Sequence, residues 1–219
     1  MSHMKPACPP AHGWVIVVPV KGGEHAKTRL TAPPGVARHT LAAAFALDTV
    51  AAAVEAVGDG RVYAVTGPGP LVALLEALGA AVVPDPGDGL NAAIRAGLAR
   101  AGTEVPVRAG LAVLLADLPA LTADDLTVAL RAASSLRRVV VPDADGTGSV
   151  LIAATGSEFP EPRFGADSAD RHERGGHRRL DLDVPGLRTD VDDTTSLRAA
   201  LALGVGRRTS AALGGSATG

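Results

Sequence analysis

Trp14-Val15-Ile16-Val17-Val18-Pro19-Val20 is an unbroken apolar run, rich in β-branched side chains and followed at once by Lys21-Gly22-Gly23. Continuous rather than alternating hydrophobicity marks a strand buried on both faces, as in a parallel sheet covered by helices. The following chain agrees. Residues 37–57 carry apolar positions at helical spacing and stop at Gly58. A strand over 61–66, a helix over 71–78, a strand over 80–83 and a helix over 90–101 come next. Residues 110–116 repeat the character of the first run and end in Asp117-Leu118-Pro119. Thr122 then caps a helix reaching about Ala133, and 138–141 reads as a strand. Strands alternating with helices imply an open, mostly parallel α/β sheet with helices on both faces. The second half changes character, with a polar turn over 143–148, a strand over 149–154 and a loop-rich basic stretch over 160–179. A short strand over 187–191 and a closing helix over 194–203 complete the expectation. Residues 1–13 are expected to be a disordered segment in which Ser2-His3-Met4 looks like a cloning scar. Residues 14–203 are expected to form one domain, and 204–219 a flexible tail.

The chain has 219 residues, with 21 Lys+Arg against 23 Asp+Glu and a net charge of -2. That balance argues against a generic binder of nucleic acid or anionic membranes, which are held by excess Lys and Arg. Aromatics at 2% leave little for base-stacking platforms. No uninterrupted apolar run approaches the ~20 residues of a spanning helix. The lone cysteine, Cys8, permits no intrachain disulfide, which fits a cytoplasmic location. Rare residues say more. Lysine occurs only as Lys5, Lys21 and Lys27, asparagine only as Asn91, and glutamine not at all. Where arginine is the default cation, a retained lysine marks a place for a compact point charge.

In open α/β sheets ligands sit beyond the carboxyl ends of the strands, so residues just after strands are the candidates. Val20 and the loop Lys21-Gly22-Gly23-Glu24-His25-Ala26-Lys27-Thr28-Arg29-Leu30 follow the first strand. Backbone N–H groups beside Lys21, Lys27 and Arg29 suit a polyphosphate, although a Walker A ending is missing. Asp117 closes a hydrophobic strand, and Asp190 and Asp192 share one face if that stretch is extended. Carboxylates from two strand ends could hold one Mg²⁺; helix capping is the plainer alternative for each. Asp88-Gly89-Leu90-Asn91 opens the third helix, where Asn91 is either a cap or an amide reading a base or ribose. Gly146-Thr147-Gly148 lets a backbone approach a ligand, or simply forms a hairpin turn. Arg163, Arg171, His172, Arg174, His177, Arg178 and Arg179 could hold an anionic substrate, or be a solvated charge run. The histidines lack close metal-ligand spacing.

Together these segments resemble the 2-phospho-L-lactate guanylyltransferase family of coenzyme F-420 biosynthesis, whose actinobacterial branch acts on phosphoenolpyruvate. The matching pieces are Lys21 with Ala26-Lys27-Thr28-Arg29-Leu30, Leu90-Asn91-Ala92-Ala93-Ile94, Asp117-Leu118-Pro119-Ala120-Leu121, Gly146-Thr147-Gly148, Arg163-Phe164-Gly165-Ala166-Asp167-Ser168 with Arg171-His172, and Asp190-Val191-Asp192. The resemblance spans about residues 14–206. It implies a three-layer, Rossmann-like nucleotidyltransferase fold of the nucleotide-diphospho-sugar transferase kind, with a mostly parallel mixed sheet. It implies GTP held by Val20, Lys21, Lys27, Asp88, Gly89 and Asn91, with Lys21, Lys27, Arg29 and Asp117 catalytic. Mg²⁺ would be held by Asp117, Asp190 and Asp192. The acceptor, phosphoenolpyruvate or 2-phospho-L-lactate, would meet Thr147, Gly165, Ser168 and Arg171. Ala116 stands where relatives often have Gly, and Asp193-Thr194 replaces a common Thr-Pro. The product is a labile diphosphate diester, so direct hand-off to the next transferase is expected. The competing readings are a molybdenum-cofactor guanylyl- or cytidylyltransferase, whose longer first-loop signature is missing, and a non-catalytic nucleotide-binding module.

Overall fold

The computed structural model describes residues 13–21, 30, 36–104 and 110–214. Chain order is β1 (Trp14–Pro19), α1 (Arg38–Val57), β2 (Val62–Thr66), α2 (Leu71–Ala77), β3 (Ala81–Pro84), α3 (Leu90–Glu104), β4 (Gly110–Leu114), α4 (Ala123–Ala133), β5 (Arg138–Pro142), β6 (Ser149–Ala154), α5 (Ser168–Arg174), β7 (Arg178–Arg179), α6 (Pro185–Arg188), α7 (Thr194–Leu203) and α8 (Arg207–Gly214). The described strands form one sheet in the order β3-β2-β1-β4-β6-β5-β7. All pairings are parallel except those of β6, which runs against both β4 and β5.

β1 is an interior strand, paired on either side with β2 and β4, and all six of its residues are buried. Its side chains divide by the period of two that a pleated strand requires. Trp14, Ile16 and Val18 join α1, α2 and α4 on one face of the sheet. Val15 and Val17 join Ala93, Ile94 and Leu98 of α3, together with Phe164, on the other. α3 lies close enough that a Cβ at Gly97 would stand 2.4 Å from a Val17 methyl and 2.7 Å from a Val65 methyl. Only glycine fits there. By length and apolarity α1 could cross a membrane, but its buried stripe, Leu41 to Val57, is committed to the core.

Three expectations are corrected. The stretch 187–191 is not a strand. Pro185 stands in the first turn of α6, where its fixed φ favours a helix start, and Val191 gives its N–H to the Asp117 carbonyl rather than to a ladder. The tail is not flexible throughout 204–219, because 207–214 forms α8. The Asp48 carboxylate, buried in α1, accepts the N–H groups of Arg208 (3.1 Å) and Thr209 (2.8 Å) and so caps that helix. Finally, the stretch 160–179 holds α5 and the edge strand β7. The N-cap expectation for Thr122 is met, its side chain accepting from Asp125 N–H.

Candidate active site

The chain builds outward from β1 in two directions, with β2 on one side and β4 on the other. The crevice between such halves, at the carboxyl ends of the strands, is where open α/β sheets bind ligands. Lys21 leaves β1 there and Asp117 follows β4. Lys21 is exposed at the edge of a cleft of about 520 Å³ whose lining includes His39, Thr40, Thr66, Gly67 and Leu74. Val20 beside it is buried and gives its N–H to the Val65 carbonyl. Lys27 and Arg29 lie outside the described residues.

Asp117 is positioned through its chain neighbours and its own carbonyl. The Thr49 hydroxyl on α1 accepts the Leu118 N–H at 3.2 Å and reaches the Ala116 carbonyl at 3.2 Å. The Asp117 carbonyl takes the Val191 N–H at 2.9 Å. That bond places Asp190 and Asp192 on either side of a residue tied to Asp117. The result is a cluster in which one carboxylate oxygen from each of Asp117, Asp190 and Asp192 lies within 4.8 Å of the others. Burial, then repulsion from Asp117, Asp192 and Asp143, pushes the Asp190 carboxyl up to about 7. Three hard oxygen donors so close repel one another until a cation joins them. Their spread approaches the ~4 Å across an octahedral Mg²⁺, twice a bond of about 2.1 Å. The donor set therefore fits a divalent cation. Asp193 is not part of it. Its side chain accepts from Thr195 and Ser196 N–H and caps α7 in a capping box.

Beside the acids lies the 143–148 turn. The Asp143 carboxylate accepts Thr147 N–H at 3.0 Å and Gly148 N–H at 2.7 Å. The Thr147 carbonyl in turn accepts Ala169 N–H at 3.0 Å, which joins the turn to the start of α5. Ser168 is buried and bonds Ser149 Oγ at 3.2 Å. Gly165 has φ 129°, and a Cβ there would lie 2.7 Å from an Arg171 guanidinium nitrogen, so Arg171 reaches back over it. Asp167 has φ 51°, the one described non-glycine residue with a left-handed backbone, and such outliers gather at sites. The turn of Thr147, the start of α5 at Ser168, and Gly165 beneath Arg171 are thus joined in one region.

Other expectations are redirected. Asn91 lies inside α3, not at its cap. Its Oδ1 accepts Phe164 N–H (2.9 Å) and its Nδ2 donates to the Phe164 carbonyl (3.1 Å), so the amide is engaged by protein backbone. Asp88 and Gly89 form the turn before α3, with Gly89 at φ 87° and its carbonyl accepting Ala93 N–H. The basic stretch is less basic than it reads. His172 and His177 are buried, and burial lowers both; His172 falls to about 4, with His177 the next cause. Both are neutral at pH 7. Thr49, Asp143 and Ser149 escape a sequence reading; the one signal was a polar pair, Asp48-Thr49, inside an apolar helix.

Residues 37–180 match the family of the MobA-like NTP transferase domain. A phosphoenolpyruvate guanylyltransferase of Streptomyces scabiei is 49% identical over 208 residues, covering 91% of this chain and 95% of its own. One of Geodermatophilus obscurus is 44% identical over 211 residues, covering 93% and 95%. Among solved structures, a candidate nucleotide-diphospho-sugar transferase from Desulfovibrio desulfuricans superposes with a TM-score of 0.58 at 19% identity, covering 87% of this chain and 96% of that one. That likeness carries the fold alone, and it agrees with the α/β sheet described above. By domain match and by close relatives, the chain belongs to the phosphoenolpyruvate guanylyltransferase family of MobA-like nucleotidyltransferases.

Proposed function

We propose that the protein transfers GMP from GTP to the phosphate of phosphoenolpyruvate and releases pyrophosphate, as a step of coenzyme F-420 biosynthesis in the cytoplasm. The observation that carries this reading is the convergence of Asp117, Asp190 and Asp192 beside the turn of Thr147 and the loop of Gly165 and Ser168. It occurs in a chain 49% identical to a phosphoenolpyruvate guanylyltransferase.

An oxygen of the acceptor phosphate forms a bond to the α-phosphorus of GTP, the α–β bridging bond breaks, and pyrophosphate leaves with that electron pair. A phosphate monoester has its second pKa near ~6, so the nucleophile is already mostly dianionic at pH 7. No general base is required, which agrees with His172 and His177 being buried and neutral. The barrier comes from bringing anions together. Two unit charges at 4 Å repel by about 4 kcal/mol at an effective dielectric of ~20. Mg²⁺, held by Asp117, Asp190 and Asp192, would neutralise phosphate oxygens there. Lys21, with Lys27 and Arg29, screens the triphosphate; Asp88 and Gly89 border the nucleotide. Thr147, Gly165, Ser168 and Arg171 orient the acceptor. The labile product favours hand-off to the transferase that consumes it.

Pyrophosphate release from GTP and Mg²⁺, measured with and without phosphoenolpyruvate, tests the reading. Release that depends on the acceptor is expected. GTP binding without turnover for phosphoenolpyruvate, 2-phospho-L-lactate or 3-phosphoglycerate would leave a nucleotide-binding module instead.

A further inference from the structure

The segment Arg163-Phe164-Gly165 belongs to no helix or strand, so its backbone groups have no ladder to join. Backbone left without partners away from water is costly. Side chains from distant positions supply the partners. His172 Nε2 accepts Arg163 N–H at 2.9 Å. A nitrogen that accepts carries no proton, so the imidazole proton sits on Nδ1 and is given to Ser149 Oγ at 3.0 Å. Ser149 also bonds Ser168 Oγ. From the other side Asn91 takes both the N–H and the carbonyl of Phe164. The Phe164 ring, itself buried, meets the His172 ring edge-on with centroids 4.9 Å apart.

We propose that Asn91 and His172 are positioning residues, a two-sided clamp on the Arg163–Phe164 backbone that fixes the acceptor-binding shape of Gly165 and Ser168. The proposal rests on the acceptor reading given above and deepens it. Gly165 is the next residue along the chain, and Ser168 hangs from the same serine that His172 holds. Asn91 stands in the first turn of α3, directly after the Asp88-Gly89 turn, so the clamp ties the nucleotide side of the crevice to the acceptor side. Without the clamp the acceptor itself must order Gly165 and Ser168, and that ordering is taken from its affinity, which gives the clamp a consequence in the acceptor KM beyond stability.

The test is steady-state kinetics of pyrophosphate release in wild type, Asn91→Ala and His172→Phe, the last keeping a buried ring without ring nitrogens. The expected result is a KM for phosphoenolpyruvate raised about tenfold or more in each variant, the scale of losing one or two hydrogen bonds. The KM for GTP should stay within about twofold. Asn91→Asp, which keeps the acceptor for Phe164 N–H but sets an oxygen against its carbonyl, should fold and give a raised acceptor KM even if Asn91→Ala does not fold. An unchanged acceptor KM in the folded variants, with loss only in melting temperature or kcat, overturns the clamp. So does a raised GTP KM with the acceptor KM unchanged, which would return Asn91 to the nucleotide. Wild type without acceptor-dependent release overturns the functional reading, and the clamp with it.

Discussion

Asp190 and His172 are the two side chains whose ionisation the fold disturbs most plainly, and they do so with opposite sign. Asp190 is held protonated up to about 7 from an ordinary 3.8, by burial and by its acidic neighbours. In metal-free protein the folded state therefore binds more protons than the unfolded one across that window, and stability falls as pH rises through it. Asp190→Asn should raise the metal-free melting temperature at pH 8 and abolish most Mg²⁺-induced stabilisation. A thermal-shift series with and without Mg²⁺ checks both. His172 is lowered from 6.5 to about 4, so between these values the unfolded chain binds the extra proton, and stability falls as pH drops from 6.5 toward 4. Melting temperatures of wild type minus His172→Phe, followed from pH 7 to pH 4, should decline with acid; a flat difference would contradict a buried neutral imidazole. Asp117 was legible in the sequence because a hydrophobic strand ended in it. The partners of Asn91 and His172 were not, since Asn91 meets backbone 73 residues away and His172 reads as one more basic residue in a basic stretch.

Elements with their own local signal were legible; elements held by distant residues were not. β1, β4 and β6 are continuous runs of β-branched and aliphatic residues, and α1 carries its apolar stripe in sequence. α8 reads Arg-Arg-Thr-Ser-Ala-Ala-Leu-Gly, which has little to recommend it alone. It forms because Asp48, 160 residues earlier, meets its first N–H groups, and because Ala212 and Leu213 pack on Leu41, Phe45 and Leu197. Asp48→Ala removes a carboxylate cap at a buried place and should cost about 1–2 kcal/mol, read from urea unfolding; an unchanged midpoint would show that α8 does not depend on the cap. The same corner carries catalytic consequence. Gly206 gives its N–H to the Pro119 carbonyl, and Thr49 braces Leu118 from the neighbouring position on α1. Thr49→Val, near in shape but without the hydroxyl, should cost roughly 1–3 kcal/mol by leaving Leu118 N–H unpaired. It should also lower kcat more than either KM, because it loosens the strand end that carries Asp117.

Across the molecule, a net charge of -2 conceals opposed local fields. Acids gather at Asp117, Asp190 and Asp192, while Lys21 follows the carboxyl end of β1 and Arg171 reaches over Gly165. The fold makes this possible by turning away from β1 in both directions, so that the ends of β1 and β4 open side by side, and by reversing β6 so that Ser149 begins where β4 ends. The central claim is that this crevice joins GTP to a phosphorylated acid through the three carboxylates. It is tested most directly by following α-phosphorus-labelled GTP with Mg²⁺ in wild type and Asp117→Asn, with phosphoenolpyruvate present or withheld. The account predicts label in a GMP–phosphoenolpyruvate diphosphate diester only for wild type with acceptor, and a folded Asp117→Asn protein that makes almost none. Label transferred equally well by Asp117→Asn, or no transfer by wild type to any phospho-acid, would contradict it.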